Sequence, residues 1–237
     1  MINRTQPWLP VAAVAAFSAA QLVHATVVGP DWVEDGDAGP DLETAQVIDA
    51  GKGALLQRIT GRLTGTAVQG EGDFVDLYQI LVSDPTSLQF STIDTDTNFQ
   101  SSLWLFDESG LGLLGNVFAF NPDIAGEFGP IGSLLQNFAT DETGIVINSP
   151  GIYYIAICGI GRVPVSGGND MFFFSMSDEV SGPDGEGGGG MLGGWAGEGA
   201  TGDYEILVEG VGFVPAPGAL SLLAIGVLGA IGRRRRA

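Results

Sequence analysis

The chain has 237 residues, and its 28 acidic and nine basic residues give a formal net charge of −19 at pH 7. All of the acidic residues lie between Asp31 and Glu209, where only four residues are basic, so this central part carries a net charge of −24. A surface this acidic repels nucleic acids and anionic lipid headgroups, and it favours solubility outside a cell and the binding of cations.

The first 25 residues have the pattern of a secretory signal peptide. Arg4 supplies a positive charge, residues 8–20 are apolar, and Val23 and Ala25 occupy the positions that signal peptidase recognises. We predict cleavage after Ala25, and a plain N-terminal anchor is the alternative. The single histidine, His24, lies in this segment, so the exported part would contain no histidine for base catalysis, a serine-histidine-aspartate triad or zinc ligation.

Residues 26–44 form an acidic lead-in that is rich in glycine and proline, and we expect it to be extended. Calcium takes about six to eight hard oxygen ligands from carboxylates and carbonyls on turns. If the lead-in packs beside the strand predicted to start near residue 74, carboxylates from both could share an ion. The residues of this predicted calcium site are Glu34, Asp35, Asp37, Asp73 and Asp76. The alternative is a solvated acidic surface whose aspartates form Asx turns.

From residue 45 onward, short β-type runs alternate with turn residues. The predicted strands cover residues 46–50, 55–65, 74–83, 87–93, 101–107, 145–148, 152–158, 171–177 and 204–213. Many short strands without an amphipathic helix favour a single all-β sandwich over residues 45–213. Residues 181–200 are rich in glycine, and we expect a loop or a mobile insertion there.

No combination of residues in the central part predicts catalysis. Cys158 is the only cysteine and lies in a β-type run, so we expect a buried, unreactive thiol. Asp107 and Glu108 are adjacent and would point to opposite faces of a strand, whereas a glycosidase needs two carboxyl groups facing one cleft. The loop 94–98 alternates acidic and hydroxyl residues but lacks the glycine and the distal glutamate of an EF-hand, so we expect an ordinary turn.

The C-terminal segment, residues 214–237, has three parts. A turn motif consists of Val214, Pro215, Ala216, Pro217 and Gly218, and a basic cluster consists of Arg233, Arg234, Arg235 and Arg236. The run 219–231 between them is apolar on every side, which excludes an amphipathic core helix. It can span a bilayer when counted from residue 211, with the arginines on the cytoplasmic side. This pattern predicts a processing and sorting signal, and an ordinary C-terminal anchor is the alternative.

The C-terminal segment resembles the bacterial PEP-CTERM sorting signal, which an exosortase processes, although Ala216 stands where the family has glutamate. The resemblance covers residues 214–237. It implies a Gram-negative-type envelope, export, a transient stay in the inner membrane and cleavage near the proline-rich motif. It implies nothing about the activity of the central part.

The central part resembles the bacterial pre-peptidase C-terminal domain, a jelly-roll β-sandwich that accompanies secreted proteins. The resemblance rests on the acidic lead-in 34–46 and on the motifs GDFVDLYQI at 72–80, LWLFDESG at 103–110 and PGIYYIAI at 150–157. Two predicted insertions, 111–140 and 181–200, depart from the compact module. The resemblance implies a domain without catalytic activity, and some members of that family bind Ca²⁺ or matrix polymers.

Three functions are therefore compatible with the sequence. The first is a non-catalytic protein of the cell envelope or extracellular matrix, whose partners are signal peptidase, an exosortase-type sorting enzyme and, transiently, the inner membrane. The second is a calcium-dependent module that binds extracellular polysaccharide or matrix through Trp104, Tyr154 or Trp195. The third is a secreted hydrolase that uses carboxylates. We expect no nucleic-acid partner.

Overall fold

The computed structural model describes residues 31–49, 56–66, 72–117, 132–175 and 179–215, which form two main β-sheets and one small sheet. The strands are β1 (Asp31–Val33), β2 (Gln46–Val47), β3 (Arg58–Leu63), β4 (Val75–Val82), β5 (Gln89–Ser91), β6 (Ser101–Asp107), β7 (Gly112–Val117), β8 (Leu134–Gln136), β9 (Gly151–Gly159), β10 (Val163–Ser166), β11 (Asn169–Asp170), β12 (Val180–Ser181), β13 (Gly194–Ala196), β14 (Gly202–Glu209) and β15 (Val211–Gly212). A 3-10 helix, Pro85–Ser87, precedes β5.

The two main sheets are built largely from antiparallel pairs. The five-stranded sheet has the order β1-β3-β14-β5-β8, and only β1 runs parallel to its neighbour. The seven-stranded sheet has the order β12-β7-β6-β9-β4-β15, with β2 parallel to β4. The small sheet has the order β11-β10-β13. The acidic lead-in thus contributes β1 to the five-stranded sheet, and the residues that follow it contribute β2 to the seven-stranded sheet.

Alternation along the strands places one set of apolar side chains between the two main sheets. Tyr78, Ile80 and Val82 of β4 belong to the same buried cluster as Phe90 of β5 and Ile206 of β14. Since successive side chains of a strand point to opposite faces, every second residue of β4 contributes to this core. The described chain is therefore all-β, and two sheets that face one core are consistent with the predicted β-sandwich.

Part of the contact between the two main sheets is polar and hydrogen-bonded. The buried Asn116 of β7 donates to the carbonyl of Glu179 (2.9 Å) and accepts from the backbone N–H of Leu134 in β8 (3.0 Å). The hydroxyl groups of Thr92 and Ser101 lie 2.7 Å apart. Each of these buried groups has a partner, so the polar contacts hold the sheets together without leaving a donor unsatisfied.

The outer face of the seven-stranded sheet carries a second buried cluster. Leu77, Trp104 and Phe106 contribute to it from the sheet, and Met171 and Phe172 cover them from the segment after β11. Burial on both faces explains why β4, β6 and β9 have nearly continuous apolar sequences.

Residues 181–200, for which the sequence suggested a loop or a mobile insertion, help to cover this second cluster. Leu192 and Trp195 pack against it, and Trp195 lies in β13. Many glycines of this segment lie where a side chain would meet backbone. A Cβ at Gly188 would overlap the carbonyl oxygen of Pro183, and one at Gly185 would overlap that of Asp170. The glycines therefore permit close packing of two chain segments.

Most predicted strands overlap an observed strand, but two do not, and seven observed strands lie outside the predicted ranges: β1, β7, β8, β10, β11, β12 and β13. Residues 145–148 form only an isolated bridge, between Val146 and Phe138. The described part of 171–177 is not a strand, because its apolar side chains serve as the cover of the second cluster. Strand β7 lies within the predicted insertion 111–140, and its two glycines, Gly112 and Gly115, weaken the apolar pattern of its sequence. A side chain at either position would meet the ring of Phe172 or of Trp104, which explains the glycines.

Several predictions fall on residues that the structure does not describe. These are the signal peptide with Ala25, the apolar run 219–231 and the arginines 233–236. Within the described residues, no helix is long and apolar enough to cross a membrane.

Candidate metal site

The acidic lead-in is held against the two main sheets by its own short strand and by turns. Strand β1 pairs in parallel with β3, and the buried Trp32 donates from its indole nitrogen to Gln46 Oε1 (2.7 Å). Gly36 and Gly39 have positive φ angles of 81° and 56°, which turn the chain back. The carbonyl of Gly39 accepts from Leu77 N–H of β4 (3.2 Å), so the lead-in lies beside the strand that carries Asp76.

Three carboxylates meet where the lead-in passes β4. One oxygen from each of Glu34, Asp37 and Asp76 lies within 4.8 Å of the others. The backbone N–H groups of Ala38 and Arg62 donate to Glu34 (3.2 and 2.8 Å), which fixes its side chain. The predicted calcium site is thus shown in its coarse form, as a cluster of acidic groups that could hold a metal ion.

Asp76 is the buried member of the cluster. Its side chain is 0% exposed, and its Oδ2 accepts a hydrogen bond from the hydroxyl of Tyr204 in the opposite sheet (2.5 Å). Its Oδ1 is also buried and has no hydrogen-bond partner among the described residues. A buried carboxylate oxygen without a partner is costly, and a cation or a proton removes that cost.

Asp73 lies next to the cluster and Asp35 lies outside it. Asp73 lines a cavity of about 320 Å³ together with Glu34 and Asp37, and it accepts from the backbone N–H of Thr64 (3.0 Å). Asp35 is exposed, and its backbone N–H donates to the side chain of Gln46. Adjacent residues in an extended segment point in opposite directions, which explains why Glu34 joins the cluster and Asp35 does not.

Three carboxyl groups of this region, those of Glu34, Asp73 and Asp76, have raised pKa values. Burial raises the pKa of Asp76 to about 8; the hydrogen bond from Tyr204 opposes this shift, and the negative charges of Asp73, Glu34 and Asp37 add to it. Burial also raises the pKa of Glu34 and that of Asp73. A cation among them would favour the ionised forms because an opposite charge nearby lowers a carboxyl pKa.

Two tyrosines complete the buried side of the site. The hydroxyl oxygens of Tyr78 and Tyr204 lie 2.5 Å apart, and Tyr204 reaches Asp76 from β14. Burial raises the pKa of both phenols, so both stay protonated and can donate. Sequence reasoning missed Tyr204 because 128 residues separate it from Asp76. Tyr78 could have been found, since it lies two positions after Asp76 on the same face of a predicted strand.

The ligand chemistry favours a hard divalent cation. All three clustered side chains offer carboxylate oxygen, which suits Ca²⁺ and Mg²⁺, whereas Zn²⁺ and copper favour nitrogen or sulfur ligands. The only cysteine, Cys158, is buried, its Sγ accepts a hydrogen bond from Trp104 Nε1–H (3.1 Å), and burial raises its pKa to about 12. The thiol therefore stays protonated and is no nucleophile.

Other candidate groups are accounted for by local contacts. Trp104 is 0% exposed and Tyr154 is 8% exposed, so neither presents a ring to solvent. Trp195 is half-buried, and its indole nitrogen donates to the carbonyl of Pro40 (2.9 Å). Asp107 Oδ1 accepts from the backbone of Ser109 (2.8 Å) and caps its own turn.

The loop 94–98 is tied to β14. Glu205 accepts from the backbone N–H of Asp96 (3.0 Å) and from the hydroxyl of Thr97 (3.0 Å). These contacts account for the loop as a turn that docks on the five-stranded sheet.

The described part of the predicted sorting motif continues the fold. Val214 donates from its backbone N–H to the carbonyl of Ile48 (2.7 Å) and forms a bridge with Asp49. Pro215 is the last described residue, and Ala216, Pro217 and Gly218 lie outside the described part.

The sequence matches no family model and no curated protein. The resemblances to the PEP-CTERM signal and to the pre-peptidase C-terminal domain therefore stay predictions.

Proposed function

We propose that this chain is a non-catalytic, exported β-sandwich protein whose acidic lead-in binds one Ca²⁺ ion at Glu34, Asp37 and Asp76. The observation that supports the proposal is the Asp76 carboxylate, which is fully buried, has an oxygen without a hydrogen-bond partner among the described residues, and lies within reach of two further carboxylates. Such a group requires a counter-charge to be ionised in the folded protein.

The bound ion would have a structural role. Glu34 and Asp37 belong to the lead-in, Asp76 belongs to the seven-stranded sheet, and Tyr204 connects Asp76 to the five-stranded sheet. An ion at this point joins three parts of the fold and relieves the repulsion between their carboxylates. Ca²⁺ suits the site better than Mg²⁺ because it accepts irregular geometry and more ligands.

The raised pKa of Asp76 could also suggest a catalytic acid, since such shifts occur in active sites. A general acid must come within hydrogen-bond reach of its substrate. Asp76 is 0% exposed and is covered by the lead-in, so a polymeric substrate has no path to it. This favours cation binding over hydrolysis.

Export is proposed from the terminal sequences alone. Signal peptidase would remove residues 1–25, and an exosortase-type enzyme would act near residues 214–218 while the run 219–231 lies in the inner membrane. The processed protein would reside in the cell envelope or outside the cell. The same proposal includes a jelly-roll order of the strand connections. It also includes an N-terminal signal helix and a C-terminal hydrophobic helix.

Binding of polysaccharide through Trp104, Tyr154 or Trp195 has less support. The first two side chains are buried, and the third is half-buried against Trp104 and Phe106. A sugar-binding platform needs an accessible ring, so we do not place polysaccharide binding at these residues.

The proposal is tested by thermal melting of the full chain with millimolar calcium and with a chelator. Calcium at 100 times its Kd should add about 2.7 kcal/mol to the stability, so the Tm should rise, and magnesium should do less. The double variant Asp37→Asn, Asp76→Asn should lose the response. The control Asp94→Asn, Asp96→Asn changes two aspartates outside the cluster and should keep it. A Tm that ignores calcium in the wild-type protein would contradict the proposal.

A further inference from the structure

A second hollow, outside the carboxylate cluster, lies at the hairpin between β10 and β11. Its volume is about 330 Å³, and it is lined by Asn169, Asp170, Phe172, Phe173 and Glu186 together with glycines. Phe172 is buried, whereas Phe173 is 63% exposed. The hollow therefore combines an apolar wall, an accessible aromatic ring and polar side chains, which is the composition of a small-ligand site.

The backbone that carries the exposed ring is held in place. The N–H of Phe173 donates to Asp184 Oδ1 (2.9 Å), and its carbonyl accepts from the hydroxyl of Ser181 (2.7 Å). The other wall is fixed by backbone bonds, from Gly185 to Met171 (3.1 Å) among others. Because the backbone on both sides of the hollow is fixed, binding would have to order only the Phe173 side chain.

The charges at the hollow have one sign. Asp170 and Glu186 are exposed, and none of the lining residues is basic. The three arginines among the described residues interact elsewhere. Arg58 forms a salt bridge with Glu205 and Arg62 forms one with Asp203. Arg162 donates a hydrogen bond to the carbonyl of Gly197. Since the surrounding domain is strongly acidic as well, the hollow favours a cation over a neutral or anionic ligand.

We propose that this hollow binds an alkylammonium group, carried by a lysine side chain of a partner protein or by a free amine. The ammonium would lie over the face of Phe173 and near the carboxylates of Asp170 and Glu186, and its alkyl chain would pack on Phe172. A ring face attracts an organic cation by its quadrupole, and the two carboxylates add a charge contribution. A bare metal ion would not use the aromatic ring in this way.

The test compares two probes of equal size, n-butylammonium and n-butanol, on the full chain. Binding is followed by the backbone amide NMR signals of Phe173 and Gly185, with calcium present so that the carboxylate cluster does not compete. We expect butylammonium to shift both signals and to bind more weakly at high salt, and butanol to have little effect. N-acetyl-lysine methylamide distinguishes the sources: tighter binding than butylammonium points to a polypeptide, and equal binding points to a free amine.

Variants assign the effect to the hollow. Phe173→Leu keeps the apolar bulk but removes the ring, and it should weaken butylammonium about two- to fivefold. The double variant Asp170→Asn, Glu186→Gln should weaken butylammonium binding at least about threefold and reduce its salt dependence. Asp94→Asn, which does not line the hollow, should bind like the wild type. Equal affinity for butanol and butylammonium, no effect of the variants, or shifts by methyl glucoside alone would overturn the proposal.

Discussion

Asp76 faces the space between the two main sheets, where an ionised carboxylate is poorly solvated. Burial raises its pKa to about 8, far above the value of 3.8 for a free aspartate. Between these two pH values the unfolded chain has released the proton and the folded chain still holds it. The protein without calcium must therefore lose stability as the pH rises through this range.

We predict that the free energy of unfolding, measured with a denaturant and a chelator, falls between pH 5 and about pH 8 by up to about 1.4 kcal/mol per pH unit for this one proton. Asp76→Asn should flatten the slope, because asparagine does not titrate. Calcium should flatten it as well, since the bound ion keeps Asp76 ionised. An equal slope in the wild type and in the variant would show that Asp76 ionises normally.

At the residue scale, the meeting of acidic side chains could be anticipated from their charge and position, whereas calcium binding by them stays a prediction. Glu34, Asp37 and Asp76 could be chosen from the sequence because hard cations need clustered carboxylates and these lie near one predicted strand. Asp35 could not be excluded, because its direction depends on the path of the lead-in. Tyr204 could not be found at all, since its contact with Asp76 exists only once two distant strands face each other.

Among the elements, the glycine-rich segment 181–200 shows that a glycine-rich composition is compatible with close packing. Gly188 is buried against the carbonyl of Pro183, whereas a Cβ at the neighbouring Gly189 would meet nothing within 4 Å. We predict that Gly188→Ala lowers the free energy of unfolding by about 1–3 kcal/mol, because the added methyl forces the backbone apart. Gly189→Ala should stay within about 0.5 kcal/mol of the wild type. Urea unfolding measures both, and equal effects would mean that the segment is loosely packed.

Asn116 joins β7 to β8 and to Glu179, the residue before β12, through both ends of its amide. We predict that Asn116→Ala destabilises the protein by about 2 kcal/mol or more, because the buried N–H of Leu134 loses its acceptor and the carbonyl of Glu179 loses a donor. The exposed Asn98 is a matched control, since its amide makes one long bond of 3.4 Å to Asp203. Asn98→Ala should cost about 0.5 kcal/mol or less in the same urea experiment. Similar losses for the two variants would contradict the role assigned to Asn116.

The elements were predicted unevenly for physical reasons. Strands β4, β6 and β9 are central and buried on both faces, so their continuous apolar runs were clear in the sequence. Strands β8 and β12 are only three and two residues long, and they pair with the distant strands β5 and β7. The segment 171–177 has the composition of a strand, but in its described part Phe172 and Phe174 pack on Trp104 and no residue joins a sheet.

At the scale of the whole molecule, the central part carries 28 acidic and four basic residues, and this charge opposes compaction. The lead-in brings the carboxylates of Glu34 and Asp37 beside that of Asp76 in β4. The two positive charges of one divalent ion would offset most of the charge of these three carboxylates. The all-β class followed from the pattern of short strands. The second apolar cluster could not be predicted, because nothing local in the sequence assigns residues 163–175 and 179–196 to the outer face of the seven-stranded sheet.

We predict that the exported protein begins at Thr26, because Val23 and Ala25 match the recognition positions of signal peptidase. Mass spectrometry of the protein from the cell envelope or the medium checks this. Replacing Ala25 with arginine should leave the N-terminal segment attached, while the same replacement at Thr5 is the control. Exported wild-type protein that still starts at Met1 would contradict the prediction.

The central claim is that Glu34, Asp37 and Asp76 hold a calcium ion, and calorimetric titration of the full chain with calcium at pH 7 tests it most directly. Because the pKa of Asp76 is about 8 in the ion-free protein, binding should displace its proton. We expect one ion per chain, release of about one proton seen as a buffer-dependent heat, and loss of both in Asp76→Asn. No heat at millimolar calcium, or unchanged binding by Asp76→Asn, would contradict the account.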